Sequence, residues 1–254
     1  MDEPRSRMVD VAGHRARVLE AGRGGPAVVI LASPLIHADV YRPTIAALAR
    51  RTHVLVADLP GCGAASRVER PLEMHELADL VPPLLNGMGL DSALLVGHSN
   101  SGAIAVHAAV RHPERVDRLV LADSIGAHPS VSLVPILAGR AWDAVIEWRL
   151  TLTGLPAIAR NVLYHPRSFC AQVTRCAGDG LLVVAAHVRC PTLLAWGARD
   201  HTMPVAAAHR FQAAIPDAQL VVSPTGSHDW IIEEPEAFAC AVVPGVASPD
   251  GALD

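Results

Sequence analysis

Ser99, Asp200 and His228 are the residues whose types and order fit a single chemistry, attack by an activated serine hydroxyl on a carbonyl carbon. Ser99 sits in Leu94-Leu95-Val96-Gly97-His98-Ser99-Asn100-Ser101-Gly102, an apolar run that ends in Gly-His-Ser and passes straight into Ala-rich sequence with helical spacing. This is close to the Gly-x-Ser-x-Gly pattern of a sharp strand-to-helix turn, which holds its serine in a strained conformation with the hydroxyl presented. Gly97 supplies one of the small neighbours that let strand and helix approach. Ser101 stands where the second glycine is usual, with Gly102 one place later, so a variant of the turn is expected. Alone, Gly-His-Ser would mark a loop or a helix cap; the strand before it and the helix after it make it a nucleophile site.

A serine hydroxyl needs a base, and the base needs a carboxylate that orients it. Two later segments offer them in the order acid, then histidine. Trp196-Gly197-Ala198-Arg199-Asp200 ends the apolar run 192–196, and Gly226-Ser227-His228 follows the run 219–223. Taken singly, Asp200 reads as a helix cap ahead of Val205 and His228 as a surface-loop residue; in chain order after Ser99 they read as a triad. Asp123, at the end of the run 118–122, is the rival for the acid. His98 is read as a structural residue of the turn. His37 and Asp39, in the loop after residues 27–31, face the expected mouth of the site, although solvated loop polarity is the plainer reading.

Such residues meet only if strand ends converge. Residues 7–19 alternate around Gly13-His14 as a hairpin. Six apolar runs follow, at 27–31, 53–57, 93–96, 118–122, 192–196 and 219–223, separated by helical patterns at 44–51, 74–85, 103–111 and 205–214. Strands alternating with helices imply right-handed crossovers and a mostly parallel sheet, with the site at the carboxyl ends of the strands. Pro82-Pro83 predicts a kink or an early stop in the pattern 74–85. Residues 125–187 break the alternation, with helical patterns at 136–149 and 155–163 and no good strand before 181–185; they are expected to form a helical cap inserted into one domain spanning 1–254. The Pro/Gly-rich tail 244–254 is expected to fray.

Composition narrows the function from outside. With 254 residues, 51% hydrophobic and 18% charged, the chain has ample apolar material for a sheet covered on both faces. A net charge of −4 without any run of like charge makes nucleic acid and anionic membrane poor partners and leaves a small molecule. All 21 basic residues are Arg, which excludes Schiff-base and P-loop lysine chemistry and points to a GC-rich, bacterial coding sequence. No secretory h-region and no apolar run of the ~18 residues that span a bilayer are present, so a cytoplasmic location is expected. The five cysteines lack CxxC spacing and the 13 histidines lack an HExxH pattern, so reduced thiols, no metal and no cofactor are expected.

Beyond the turn and triad, the chain resembles the α/β-hydrolase superfamily over nearly its whole length. The resemblance runs through Asp58-Leu59-Pro60-Gly61-Cys62-Gly63, His112-Pro113-Glu114-Arg115-Val116, Cys190-Pro191-Thr192-Leu193-Leu194-Ala195-Trp196-Gly197 and Glu233-Glu234-Pro235-Glu236-Ala237-Phe238. It implies an α/β fold with an eight-stranded, mostly parallel sheet, a cap before the strand that carries the acid, and the triad inferred above. One departure stands out. Where the family usually has His-Gly before its first oxyanion donor, this chain has Leu31-Ala32-Ser33-Pro34. Aligned on Pro34, the Ser33 N–H is one donor and the Asn100 N–H the other; shifted by one residue, the position falls on a proline with no N–H. Losing one oxyanion donor costs about 10²–10³ in rate. Trp142, Trp148, Met203, Trp230 and Ile231 are candidates for an apolar pocket under the cap, with core packing as the equal alternative. The expected activity is cofactor-free hydrolysis of a carboxylic ester or thioester of a small-to-medium, fairly apolar molecule. A lyase, cyclase or acyltransferase on the same fold is the alternative, and a binding protein without turnover is a third.

Overall fold

Short, nearly uninterrupted apolar runs become strands when both faces of a sheet are covered, and that is their fate here. A computed structural model of the chain describes residues 3–130, 132–176 and 180–243; the expected fraying of 244–254 concerns residues outside these. Its strands are β1 (Arg5–Val11), β2 (His14–Ala21), β3 (Ala27–Leu31), β4 (His53–Asp58), β5 (Ala93–His98), β6 (Val116–Ala122), β7 (Thr192–Gly197) and β8 (Gln219–Ser223). They form one eight-stranded sheet in the order β1-β2-β4-β3-β5-β6-β7-β8. The β1–β2 hairpin and the β2–β4 pair are antiparallel, and every pair from β4 onward is parallel. β4 lies on one side of β3 and β5 on the other, so the strand order reverses there and a crevice opens between the carboxyl ends of β3 and β5.

The helices are α1 (Arg42–Leu48), α2 (Met74–Ala78), α3 (Val81–Met88), α4 (Asn100–Arg111), α5 (Leu133–Ile146), α6 (Trp148–Tyr164), α7 (Pro166–Thr174), α8 (Gly180–Ala185), α9 (Val205–Ala214), α10 (Trp230–Glu233) and α11 (Pro235–Val242). Two apolar layers hold them to the sheet. One joins Leu95, Leu121 and Trp196 to Ile104 and Phe211; the other joins Ile30, Val56 and Val96 to Tyr41, Ile45, Trp230 and Phe238.

The Pro82-Pro83 pair breaks the pattern 74–85 into α2 and α3. Both prolines lie in the first turn of α3, where the missing N–H groups have no intrahelical partner to lose. The run 181–185 is a correction to the sequence reading: it is the short helix α8, which packs on α4 and α9. A short apolar run carries no period that separates strand from buried helix, and β6 and β7 pair directly, leaving no slot between them. Ile125 and Ala127 belong to the buried core, so of the expected cap 125–187 the helices α5–α7 start only beyond residue 127.

Candidate active site

Ser99 occupies the junction of β5 and α4 at φ 53° and ψ −121°, a left-handed conformation strained for a residue with a Cβ. The turn is over-determined by its neighbours. A Cβ on Gly97 would lie 2.6 Å from the Cα of Gly102 and 2.7 Å from the Cβ of Ala105, so only glycine allows strand and helix this close. Ser101, in the place of the usual second glycine, is fully buried; its Oγ donates to the Leu31 carbonyl at 2.5 Å and accepts the His98 N–H at 2.9 Å. The variant turn thus replaces a glycine by a hydroxyl that ties β5 to β3.

The structure brings Ser99, His228 and Asp200 into one hydrogen-bonded line. Ser99 Oγ lies 3.0 Å from His228 Nε2, and His228 Nδ1 lies 2.9 Å from Asp200 Oδ2. Asp200 Oδ1 accepts the Met203 N–H at 2.7 Å, which fixes the carboxylate in the loop after β7. The three residues come from the carboxyl ends of β5, β7 and β8, and all are buried.

A sequence profile for the alpha/beta hydrolase fold matches residues 22–153, just over half of the chain. The chain belongs to the α/β-hydrolase family. It is 31% identical over 245 residues to the pimeloyl-[acyl-carrier protein] methyl ester esterase of Chromobacterium violaceum, covering 86% of this chain and 93% of that one. Among solved structures, a serine hydrolase involved in carbazole degradation, the CarC enzyme, superposes with a TM-score of 0.74 at 25% identity, covering 93% and 96% of the two chains. The enol-lactonase of Burkholderia xenovorans LB400 shares the fold with a TM-score of 0.72 at 21% identity, covering 92% and 96%.

In this α/β-hydrolase, Asp123 does not touch the histidine. Its Oδ1 accepts the Gly197 N–H at 2.8 Å, and burial together with the neighbouring Asp200 carboxylate holds it well above the usual carboxylate range. Burial raises Asp200 as well, but the His228 imidazole at 2.9 Å and the Met203 N–H favour its charged form, and Asp123 has no such partner among the hydrogen bonds at its carboxylate. Burial lowers the pKa of His228, but Asp200 outweighs it, and the net shift is upward from the ordinary histidine value. His98 goes the other way, to about 4, because it is wholly desolvated. It is the middle of a relay. The Ser33 N–H donates to Tyr41 Oη at 3.0 Å, the Tyr41 hydroxyl donates to His98 Nδ1 at 2.8 Å, and His98 Nε2 donates to the His228 carbonyl at 3.1 Å.

That relay corrects the oxyanion reading. The Ser33 N–H is spent on Tyr41, inside the protein, and Pro34 has none to offer. Asn100, the first residue of α4, keeps its N–H among the unpaired donors of a helix N-terminus, where the helix dipole also favours negative charge. Its side chain is engaged elsewhere: Nδ2 donates to the Gln172 carbonyl at 2.9 Å and Oδ1 accepts from Cys176 at 3.4 Å, both from the cap side.

The pocket residues also need correction. Trp142 and Trp148 are 56% and 55% exposed on the cap, while Met203, Trp230 and Ile231 are buried in the two core layers, Trp230 against Phe238 with ring centroids 5.6 Å apart. His37 caps the turn after β3 by accepting the Asp39 N–H, and Asp39 pairs with Arg17 and Arg42. Polar loop structure accounts for both. Cap residue Asn161 reaches this turn, donating to the carbonyls of Pro34 at 3.2 Å and Ile36 at 2.7 Å.

Sequence reasoning missed the residues by which the cap holds the triad loops. Asp143, fully buried on α5, accepts from His201 N–H at 3.1 Å, Thr202 N–H at 2.8 Å and Thr202 Oγ1 at 2.6 Å, all in the loop just after Asp200. A Cβ on Gly139 would meet the His201 carbonyl at 1.9 Å, so the helix rests directly on that loop. On the other side, Arg140 donates to Asp229 at 2.7 Å and to Glu147 at 3.0 Å, and Glu147 accepts the Asp229 N–H at 2.8 Å. Burial and the Asp229 charge push Glu147 up to about 7, whereas Arg140 holds Asp229 far below the usual range against its own burial. Asp143, Asp200 and His228 each place one ligand-type atom within 4.8 Å of the others, but these atoms already serve the hydrogen bonds just described. The available signal was the spacing of Arg140, Asp143 and Glu147 along one helical face.

Proposed function

We propose that this α/β-hydrolase cleaves a carboxylic ester or thioester of a small-to-medium, fairly apolar molecule through an acyl-enzyme on Ser99. The observation that supports it is the line Ser99 Oγ, His228 Nε2, His228 Nδ1, Asp200 Oδ2, with steps of 3.0 and 2.9 Å. His228 takes the proton as Ser99 attacks the carbonyl carbon, and Asp200 stabilises the imidazolium that forms. The oxyanion develops over the amino end of α4, at the Asn100 N–H. Collapse expels the alcohol or thiol, which leaves with the proton from His228. Water, deprotonated by the same histidine, then attacks the acyl-enzyme and releases the acid and Ser99. The naming of one relative for a methyl ester bond supports an ester substrate.

A second reading has a specific observation behind it. With the Ser33 N–H committed to Tyr41 and a proline next to it, the β3 side offers less to an oxyanion than the family pattern does. That favours a lyase or cyclase reaction, in which no full tetrahedral oxyanion need form at a carbonyl carbon. The experiment is labelling with a fluorophosphonate probe followed by a panel of nitrophenyl esters and thioesters of increasing acyl length, with product analysis. Labelling at Ser99 with turnover of one chain-length class supports the hydrolase; labelling without hydrolysis of any panel member turns the choice to the second reading.

A further inference from the structure

Helices α5 and α6 are amphipathic the wrong way round for a protein in water. Toward the body they turn Arg140, Asp143, Glu147 and Asn161, each tied to a loop beneath. Away from it they turn large apolar side chains: Val134 and Leu163 are each 73% exposed, Val145 63% and Leu152 57%. Of the thirteen large hydrophobic residues exposed among the described residues, eleven lie on these two helices. A surface helix ordinarily does the opposite, and a contiguous apolar patch of this kind marks a surface that meets something apolar.

Charge says what that is. Between residues 132 and 176 the two carboxylates, Asp143 and Glu147, are both buried, while three arginines are exposed: Arg149 and Arg160 on α6, the latter with its Nε donating to the Gly63 carbonyl at 2.9 Å, and Arg167 on α7. Arg149 lies over the ring of Trp148 at 5.3 Å, and Arg160 and Arg67 lie over that of Tyr164 at 5.0 and 5.4 Å. An apolar face with Trp and Tyr at its margin and only cations among its exposed charges is the composition of an element lying in a lipid headgroup region.

We propose that the outer face of α5 and α6 docks the protein on an anionic phospholipid surface. A second copy of the chain fits less well, because burying this face against itself would bring Arg149 and Arg160 of both protomers into the contact with no exposed carboxylate on α5 or α6 to pair them. The contact is peripheral: among the described residues no helix is long and apolar enough to cross a membrane. The net charge of −4 concealed this surface, since it averages a basic apolar cap with acidic residues elsewhere. The proposal does not depend on the reaction at Ser99.

Flotation of the full chain with phosphatidylcholine vesicles, with and without phosphatidylglycerol, tests it. Each surface arginine contributes about fivefold at an anionic membrane, so Arg149 and Arg160 predict association about 25-fold tighter with the anionic vesicles, weakening as salt is raised. Leu152→Ser with Leu163→Ser should reduce binding to both vesicles, and Arg149→Glu with Arg160→Glu should remove the preference for phosphatidylglycerol. Circular dichroism checks folding, and hydrolysis of a short soluble ester is followed in parallel, so that loss of lipid binding and loss of chemistry are read separately. No association, or equal association with the two vesicles, overturns the proposal. So does a dimer in analytical ultracentrifugation that the Leu152→Ser, Leu163→Ser variant dissolves while vesicle binding is unaffected.

Discussion

Arg140 on the cap helix α5 donates to the carboxylate of Asp229 at 2.7 Å, and Asp229 is the residue that follows His228. The same guanidinium holds Glu147, whose other oxygen accepts the Asp229 N–H. The cap therefore grips the histidine loop by its backbone and its side chain. Removing the cation leaves two buried carboxylates facing each other. Arg140→Ala should destabilise the fold by about 3 kcal/mol, the lower end for breaking a buried pair, because the arginine keeps one edge in water. In urea denaturation the midpoint should fall, and kcat should fall with little change in KM. An unchanged midpoint would mean that the pair carries no load.

Ser99→Ala should abolish fluorophosphonate labelling and turnover and leave the circular dichroism spectrum and melting temperature close to the parent. The hydroxyl contributes chemistry, and the turn is held by Gly97 and Ser101. Residual labelling at the parent rate would place the nucleophile elsewhere.

The pH profile should carry the upward shift of His228. The base works only when neutral, so activity is absent at low pH and rises as pH passes the histidine's pKa. Asp200 raises that value despite burial, placing the midpoint of the acid limb above the ordinary value of about 6.5. His98, held near 4, stays neutral throughout and does not contribute. Asp200→Asn should move the limb to lower pH, because the imidazolium loses its carboxylate. A limb at or below 6.5 in the parent, with chemistry limiting the rate, would contradict this.

The two aspartates at adjacent strand ends should respond differently to the same substitution. Asp200→Asn removes the charge opposite His228 and favours the wrong tautomer, lowering kcat by up to about 10⁴. Asp123 Oδ1 accepts the Gly197 N–H and makes no hydrogen bond to His228, so Asp123→Asn keeps that acceptor and should retain activity within about tenfold. Measuring kcat for both on one substrate, with folding checked, decides the matter; a larger loss at Asp123 would reverse the assignment.

The meeting of Ser99, Asp200 and His228 could be read from the chain because each is announced by contiguous residues, an apolar strand followed by a short turn of recognisable type. The alternation of strands with helices then implies right-handed crossovers, which is why the hairpin, the mostly parallel sheet and the place of Ser99 just after β5 were legible, while the strand order was not. What escaped the sequence depends on direction in space. Whether Ser33 can serve an oxyanion turns on which way its N–H points, and that was settled by a tyrosine eight residues away whose hydroxyl fills the space beneath the turn. A short apolar run such as 181–185 lacks a period, so only the pairing of β6 with β7 excluded it from the sheet. On α5, Trp142 and Asp143 are neighbours in sequence and both reach His201, the indole by its edge from the exposed side and the carboxylate from within, and sequence alone favours burying the indole. The structure buries the carboxylate instead, because two N–H groups and a hydroxyl of the acid loop wait there to be satisfied, and no apolar side chain could satisfy them.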